Sequence, residues 1–237
     1  MATFDLALGR IFCRLEVSPK SLLYFGRREL FASKYYPARY GDWELSPTQL
    51  RLTDNKRRIR MNLDPDGIGF EADVGVNVPE LQQHVIQAVQ EFQREVTTGS
   101  NPVRFGWRAI FFLEHGSFDD LSPVILANTL GKGPGWWTLA GFAPRDLAHN
   151  VWYGTEDDGV NLQVGVLTPE QVTTFRRQLQ FKGEAKELSV DAGALLVDLD
   201  RYVKVFGRKD QVERVAKDHD RLHEFARSLA QKVLAKA

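Results

Sequence analysis

Two histidines and an aspartate in the segment HDRLH (His219, Asp220 and His223) come closer than anything else in this chain to a zinc-binding pattern. Residues four apart share one face of a helix, so both imidazoles could ligate one ion with the intervening acid as base, a variant of the HExxH arrangement. Against that, Asp replaces the longer Glu, no third ligand is evident, and His219 falls within an apolar stripe, where a hydrogen-bonded core histidine serves packing. His219 and His223 remain candidates, and the sequence calls for no metal and no cofactor. Asp198 and Asp200 in LLVDLDRYV are the second candidate site. At strand spacing the two carboxylates share a face about 6.5 to 7 Å apart, which suits a divalent ion or a carboxylate pair. The competing reading is structural, with each aspartate facing an arginine across a sheet.

Arginines recur on the strand faces opposite the apolar ones, Arg58 and Arg60 early and Arg104 and Arg108 later. Such a row could grip phosphates or a carboxylate. Glu71, Asp73 and Glu114 share the corresponding faces of their strands, so a mixed-charge solvated face is the expectation. The loop GKGPGWW (Gly131 to Trp137) offers glycines and Lys132 but lacks the G-K-[ST] ending of a phosphate loop. Its adjacent Trp136 and Trp137 are candidates for a core anchor or an interface. DPDG at Asp64 to Gly67 is a turn without the later ligands of a calcium loop. No stretch has the spacing that nucleotide hydrolysis, dinucleotide binding or a nucleophile elbow requires.

These candidates must be positioned by elements that the pattern of residues sets out twice, with a junction near residues 98 to 102. A strand over Phe4 to Val17 changes phase at Gly9, which predicts a bulge. Ser18 and Pro19 read as the start of a helix carrying Leu22, Leu23, Leu30 and Phe31. Strands follow over Trp43 to Thr53, Arg57 to Leu63 and Ile68 to Val74, and Pro79 opens an amphipathic helix through Leu81, Val85, Ala88, Val89, Phe92 and Val96. The second pass begins with VRFGWRAIFFLE, then a helix after Ser117 that Pro123 could split with Ser122 as the cap. A hairpin across VWYGTEDDGVNLQVGV, a helix capped by Thr168 and Gln171, the strand AGALLVDLDRYVKVF and one long helix from about Lys209 to Lys236 complete it.

The order βαβββα followed by βαββ(α)βα predicts an α+β protein of two related halves, 1–99 and 100–237, forming one unit whose antiparallel sheets are covered by helices. GRIFCRLE (Gly9 to Glu16) sets over WRAIFFLE (Trp107 to Glu114) with Arg10 on Arg108, Leu15 on Leu113 and Glu16 on Glu114. Trp43, Phe70, Phe92, Phe105, Leu162, Leu196 and Phe225 are expected to be mostly buried.

The 31 Lys+Arg balance 31 Asp+Glu, so no net field draws the chain to nucleic acid or an anionic membrane. A single cysteine, Cys13, precludes an intramolecular disulfide and fits a reducing cytoplasm. The opening MATFDLALGRIFCRLEV lacks the pattern of a secretory leader, and no apolar run has the length of a membrane span.

RFGWRAIFF (Arg104 to Phe112) resembles the central R-hydrophobic-G-L-R-Y-I-N strand of a sporadically distributed bacterial family of uncharacterised proteins of about this length. LLVDLDRYV (Leu195 to Val203) resembles that family's late D-hydrophobic-D strand, and the meander and closing helix match in order. Trp107, Ala109 and Phe111 stand where that strand has Leu, Tyr and Asn. The resemblance implies an accessory or mobile-element role and no activity to carry over. The sequence thus points to a soluble cytoplasmic binding or assembly protein acting through protein contacts, self-association included. The alternatives are a metal-dependent hydrolase using His219 and His223 or Asp198 and Asp200, and nucleic-acid binding through the arginine-bearing sheet, which neutral charge opposes.

Overall fold

The alternation of Ile11, Cys13, Leu15 and Val17 builds β1 (Ala7–Ser18), with those four side chains buried and Phe12, Arg14 and Glu16 on the other face. The computed structural model describes residues 7–73, 76–114, 117–129, 147–179, 193–204 and 210–234. The phase change at Gly9 is a slip in register between Leu8 and Arg10, and a Cβ at Gly9 would lie 2.3 Å from the Phe112 ring.

Helix α1 (Tyr24–Ser33) starts later than the Ser18–Pro19 signal predicts, because Ser18 is still paired in the sheet with Asn101. It buries Tyr24, Phe31 and Ala32 and leaves Leu30 exposed, while Leu22, predicted to lie on this helix, is exposed ahead of it. The meander has four strands, β2 (Asp42–Leu45), β3 (Leu50–Asp54), β4 (Ile59–Asp64) and β5 (Gly67–Asp73). The single strand predicted over Trp43 to Thr53 breaks where the Ser46 N–H and hydroxyl both donate to the Gln49 carbonyl around Pro47. At Gly67 a Cβ would sit 1.9 Å from the Leu15 carbonyl oxygen, so this turn admits only glycine against β1.

Helix α2 (Val78–Glu95) is capped by the Asn77 side chain, which accepts from the Glu80 N–H, and it buries Leu81, His84, Val85, Ala88, Val89 and Phe92. After β6 (Asn101–Glu114), α3 (Phe118–Thr129) begins at a reciprocal cap. The Ser117 hydroxyl accepts from the Asp120 N–H, and the Asp120 carboxylate accepts from the Ser117 N–H. Pro123 lies inside this helix, so Ser117 rather than Ser122 is the cap. Then come β7 (Leu147–Gly154), β8 (Asp158–Leu167), α4 (Pro169–Leu179) with its Thr168–Gln171 box, and β9 (Ala194–Val203). The closing helix is two, α5 (Asp210–Lys217) and α6 (His219–Leu234), broken at Asp218, whose carboxylate accepts from Arg201 Nε at 2.9 Å.

The nine strands of the described residues form a single antiparallel sheet in the order β2-β3-β4-β5-β1-β6-β9-β8-β7. Where the sequence predicts more than one sheet, β1 and β6 pair across the boundary near residue 100. In each half the last strand of the meander returns beside the first strand. One side of β6 sends Phe105 and Trp107 into a core shared with α1, α2 and α5, and Ala109 and Phe111 into a core shared with α3 and α6. The apolar face of the sheet is thereby covered. Phe70, Phe92, Phe105, Leu162 and Leu196 are buried and Trp43 is partly buried, but Phe225 is 43% exposed. The inward stripe of α6 runs through Leu222, Ala226 and Ala230, and Phe225 lies one residue off it.

Candidate functional site

The other face of the sheet carries the charged candidates, and strand register decides who meets whom. Register sets Arg108 of β6 opposite Asp200 and Ile110 opposite Asp198, so the carboxylate one step along is the one Arg108 reaches. Arg108 Nε lies 2.9 Å from Asp198 Oδ1 and 3.1 Å from Oδ2, a forked contact to which Nη2 adds a third bond. Arg104 Nη2 donates to Asp200 Oδ2 at 2.8 Å, while its guanidinium lies 5.3 Å from the Tyr202 ring centroid. Gly106, between the two arginines, leaves the room this requires, since a Cβ there would approach Asp200 Oδ1 to 3.3 Å.

Asp198 is almost wholly buried, yet Arg108 is 48% exposed, so the pair presents a cation edge to solvent. The hydrogen bond to Asp198 pushes the Arg108 pKa up. Chemically, both aspartates have their charge matched by a guanidinium, and a divalent ion could use them only by displacing arginine.

The first-half candidates occupy the same face. Arg60 Nη1 lies 3.3 Å from Glu71, and Arg58 Nη1 lies 3.4 Å from Asp73. Arg58 precedes β4 in the left-handed region, with φ 57°, instead of lying on the predicted strand. Beside them Arg10 is 1% exposed, 3.8 Å from Glu71 and 4.0 Å from Asp73. Burial lowers its pKa, opposed by the two carboxylates. Arg14 forks onto Asp64 at 3.0 Å through both terminal nitrogens. The four candidate arginines are therefore not brought together as one cationic row.

Beyond β9 the face opens into a cleft of about 410 Å³, whose polar lining includes Arg108, Asn150, Trp152, Asn161, Gln163 and Asp198. Trp152 is half exposed, with its Nε1 fixed by donation to the Tyr202 hydroxyl at 2.6 Å. Gly159 permits this, because a Cβ there would sit 2.9 Å from both of those atoms. A second cleft of about 440 Å³ shares Arg108 and Asp198 and extends to Leu196 and to Thr174 of α4. Sequence reasoning missed Asn150, Trp152, Asn161 and Gln163. A signal was present: 161 and 163 are the polar positions between the apolar Val160, Leu162 and Val164, and pairing sets Trp152 and Asn150 opposite them.

His219 and His223 lie elsewhere, on the helix-covered side. The His219 ring is 5.9 Å from Trp107, and His223 stacks on Phe111 at 5.1 Å. The two ring centroids are 6.2 Å apart, and among the described residues no group of three or more His, Cys, Asp or Glu side chains could hold a metal ion. Burial pushes the His219 pKa down to about 4, against the raising effect of Asp220. A second buried imidazole, His84, shares a 2.7 Å hydrogen bond with the Tyr40 hydroxyl, and burial with Arg39 and Arg57 nearby lowers its pKa to about 3. Trp136 and Trp137 lie outside the described residues.

Fold and face together define a class: an α+β protein whose large antiparallel sheet is covered by helices on one face and carries paired charges and polar groups on the other, where α4 borders the second cleft. No family model matches the sequence, and no curated protein matches it. Among solved structures, Methanococcus jannaschii TBP aligns over 93% of this chain and 98% of its own at 10% identity, with a TM-score of 0.32, a likeness that carries no argument about function. Among the described residues no helix is long and apolar enough to cross a membrane.

Proposed function

We propose that the chain is a binding or assembly protein of the bacterial cytoplasm that acts through protein contacts, using the polar face of its sheet centred on the Trp152 cleft. One observation carries the reading: the charges of that face are already matched within the chain, as Arg108–Asp198, Arg104–Asp200, Arg60–Glu71 and Arg14–Asp64. A surface that grips a phosphate backbone needs cations whose partner is the phosphate. Here the groups left to a ligand are carboxamides, a fixed indole and the outer edge of a paired guanidinium, which suit the mixed polar and aromatic surface of a protein. The candidate carboxylates Asp198 and Asp200 are likewise each held by a guanidinium, which disfavours a hydrolase that would use that pair.

The same reading treats the two halves as a duplication that diverged. Arg10 lies opposite Asp73 as Arg108 lies opposite Asp200. The position opposite the inner acid is Arg60 for Glu71 but Gln163 for Asp198, which is where the cleft opens. The family resemblance supports an accessory role.

The test is a photo-crosslinking residue introduced at Gln163 in the cell of origin, alongside gel-shift titration with duplex DNA and RNA at low and moderate salt. The expected result is a discrete protein adduct that Asn161→Ala weakens, with no shift of either duplex. Duplex binding that falls steeply with salt would overturn the reading in favour of nucleic acid.

A further inference from the structure

Among the described residues, the two edges of the sheet are built differently. Edge strand β2 is four residues long and carries Asp42 and Glu44, two ordinary means of discouraging further pairing. Edge strand β7 has eight residues, LAHNVWYG, without proline and without Lys, Arg, Asp or Glu. It is paired along its whole length on one side, to β8. Val151, Trp152 and Tyr153 are 42%, 50% and 48% exposed, so the outer half of the strand is an uncharged edge rich in large side chains.

The direction of its backbone groups follows from the hairpin. Thr155 N–H donates to the Asp158 carbonyl, so alternate positions inward from there, Tyr153, Val151 and His149, turn their N–H and C=O toward β8. Ala148, Asn150, Trp152 and Gly154 turn theirs outward. These four can pair with themselves about a twofold axis through Val151, Ala148 facing Gly154 and Asn150 facing Trp152 of a second copy. That register forms about eight backbone hydrogen bonds, whereas an axis through Asn150 forms about six.

We infer that β7 is a self-association edge, on which a second copy of this chain docks antiparallel with Val151 opposite Val151. The occupant is a second copy because the strand meets itself with no like charges opposed, a condition that the acidic β2 does not satisfy. The interface is isologous and closes as a dimer, whereas joining β7 to β2 would propagate a filament. Opposed residues share a face, so the second copy's Asn150 comes beside Trp152, and two clefts become neighbours on one continuous sheet. This inference concerns the edge and stands or falls separately from the face-binding reading.

Sedimentation equilibrium from about 1 to 200 µM, a range that spans a micromolar dissociation constant, is expected to show a monomer–dimer equilibrium. Val151→Lys and Val151→Glu are each expected to be monomeric and folded by circular dichroism, and an equimolar mixture should restore dimers. Val151→Cys should form a disulfide-linked dimer under mild oxidation, since facing residues of this type lie within disulfide reach. Tyr153→Cys alone should not, but should cross-link when mixed with His149→Cys. Cys13, 2% exposed, does not compete. A wild type that stays monomeric throughout, or dimers that survive Val151→Lys, would overturn the inference. Cross-linking through Asn150→Cys instead of Val151→Cys would overturn the register.

Discussion

Lowering the pH from 7.5 to 5.0 should destabilise this protein by an amount that two buried imidazoles set. His84 and His219 are 3% and 2% exposed, with pKa values lowered to about 3 and about 4. In the unfolded chain each returns to about 6.5. Both are neutral in the folded protein throughout this range, while the unfolded chain takes up a proton at each as the pH drops below about 6.5. Stability is therefore complete above that value and falls as the pH falls toward the folded values. At pH 5.0 each imidazole is about 1.5 units below its unfolded pKa, worth about 2 kcal/mol, so the pair removes about 4 kcal/mol. That is a large share of the 5 to 15 kcal/mol typical of a folded domain. Urea unfolding at several pH values is the assay, with His219→Leu as comparison, which should reduce the pH-dependent loss to about 2 kcal/mol. A wild type equally stable at both pH values, or an unchanged pH slope in His219→Leu, would refute the reasoning.

Arg108→Ala should cost about 1 to 3 kcal/mol, between the exposed and buried limits, because it strands a nearly buried Asp198 beside a half-exposed site. A double-mutant cycle with Asp198→Ala checks this, and strict additivity would count against the pairing. Phe92→Ala, at a fully buried position meeting Phe31 edge-on at 5.7 Å, should cost about 3 to 5 kcal/mol in chemical denaturation. Phe225→Ala, at a 43% exposed position, should stay within about 0.5 kcal/mol of the wild type in the same denaturation assay. Elemental analysis of purified protein should show no stoichiometric zinc, and the double substitution of His219 and His223 by alanine should leave metal content unchanged. One tightly held ion per chain would revive the hydrolase alternative.

Much of the element pattern is legible in the sequence because it rests on local chemistry. Alternation placed β1, β6 and β8, and the caps at Ser117 and Thr168 mark where helices begin because a side-chain oxygen there meets an otherwise unpaired N–H. Even spacing in Asp198–Asp200 and Arg104–Arg108 put acids and bases on strand faces before any pairing was known. What depended on long-range pairing was not legible. Ser18 reads as a cap by its neighbours but is held in the sheet by Asn101, and the closing helix reads as continuous but breaks at Asp218, where Arg201 comes in from β9. Only the sheet order set β1 against β6 and made one sheet of the two halves. The cleft likewise required tertiary structure: Asn150 and Trp152 acquire meaning only when the hairpin register lays them against Gln163 and Asn161, and β9 supplies Asp198 from more than thirty residues further along. Side-chain spacing along one strand is written in the sequence as a period of two, whereas neighbours across strands depend on which strands pair and in what register, and these are settled by burial of the whole apolar face at once.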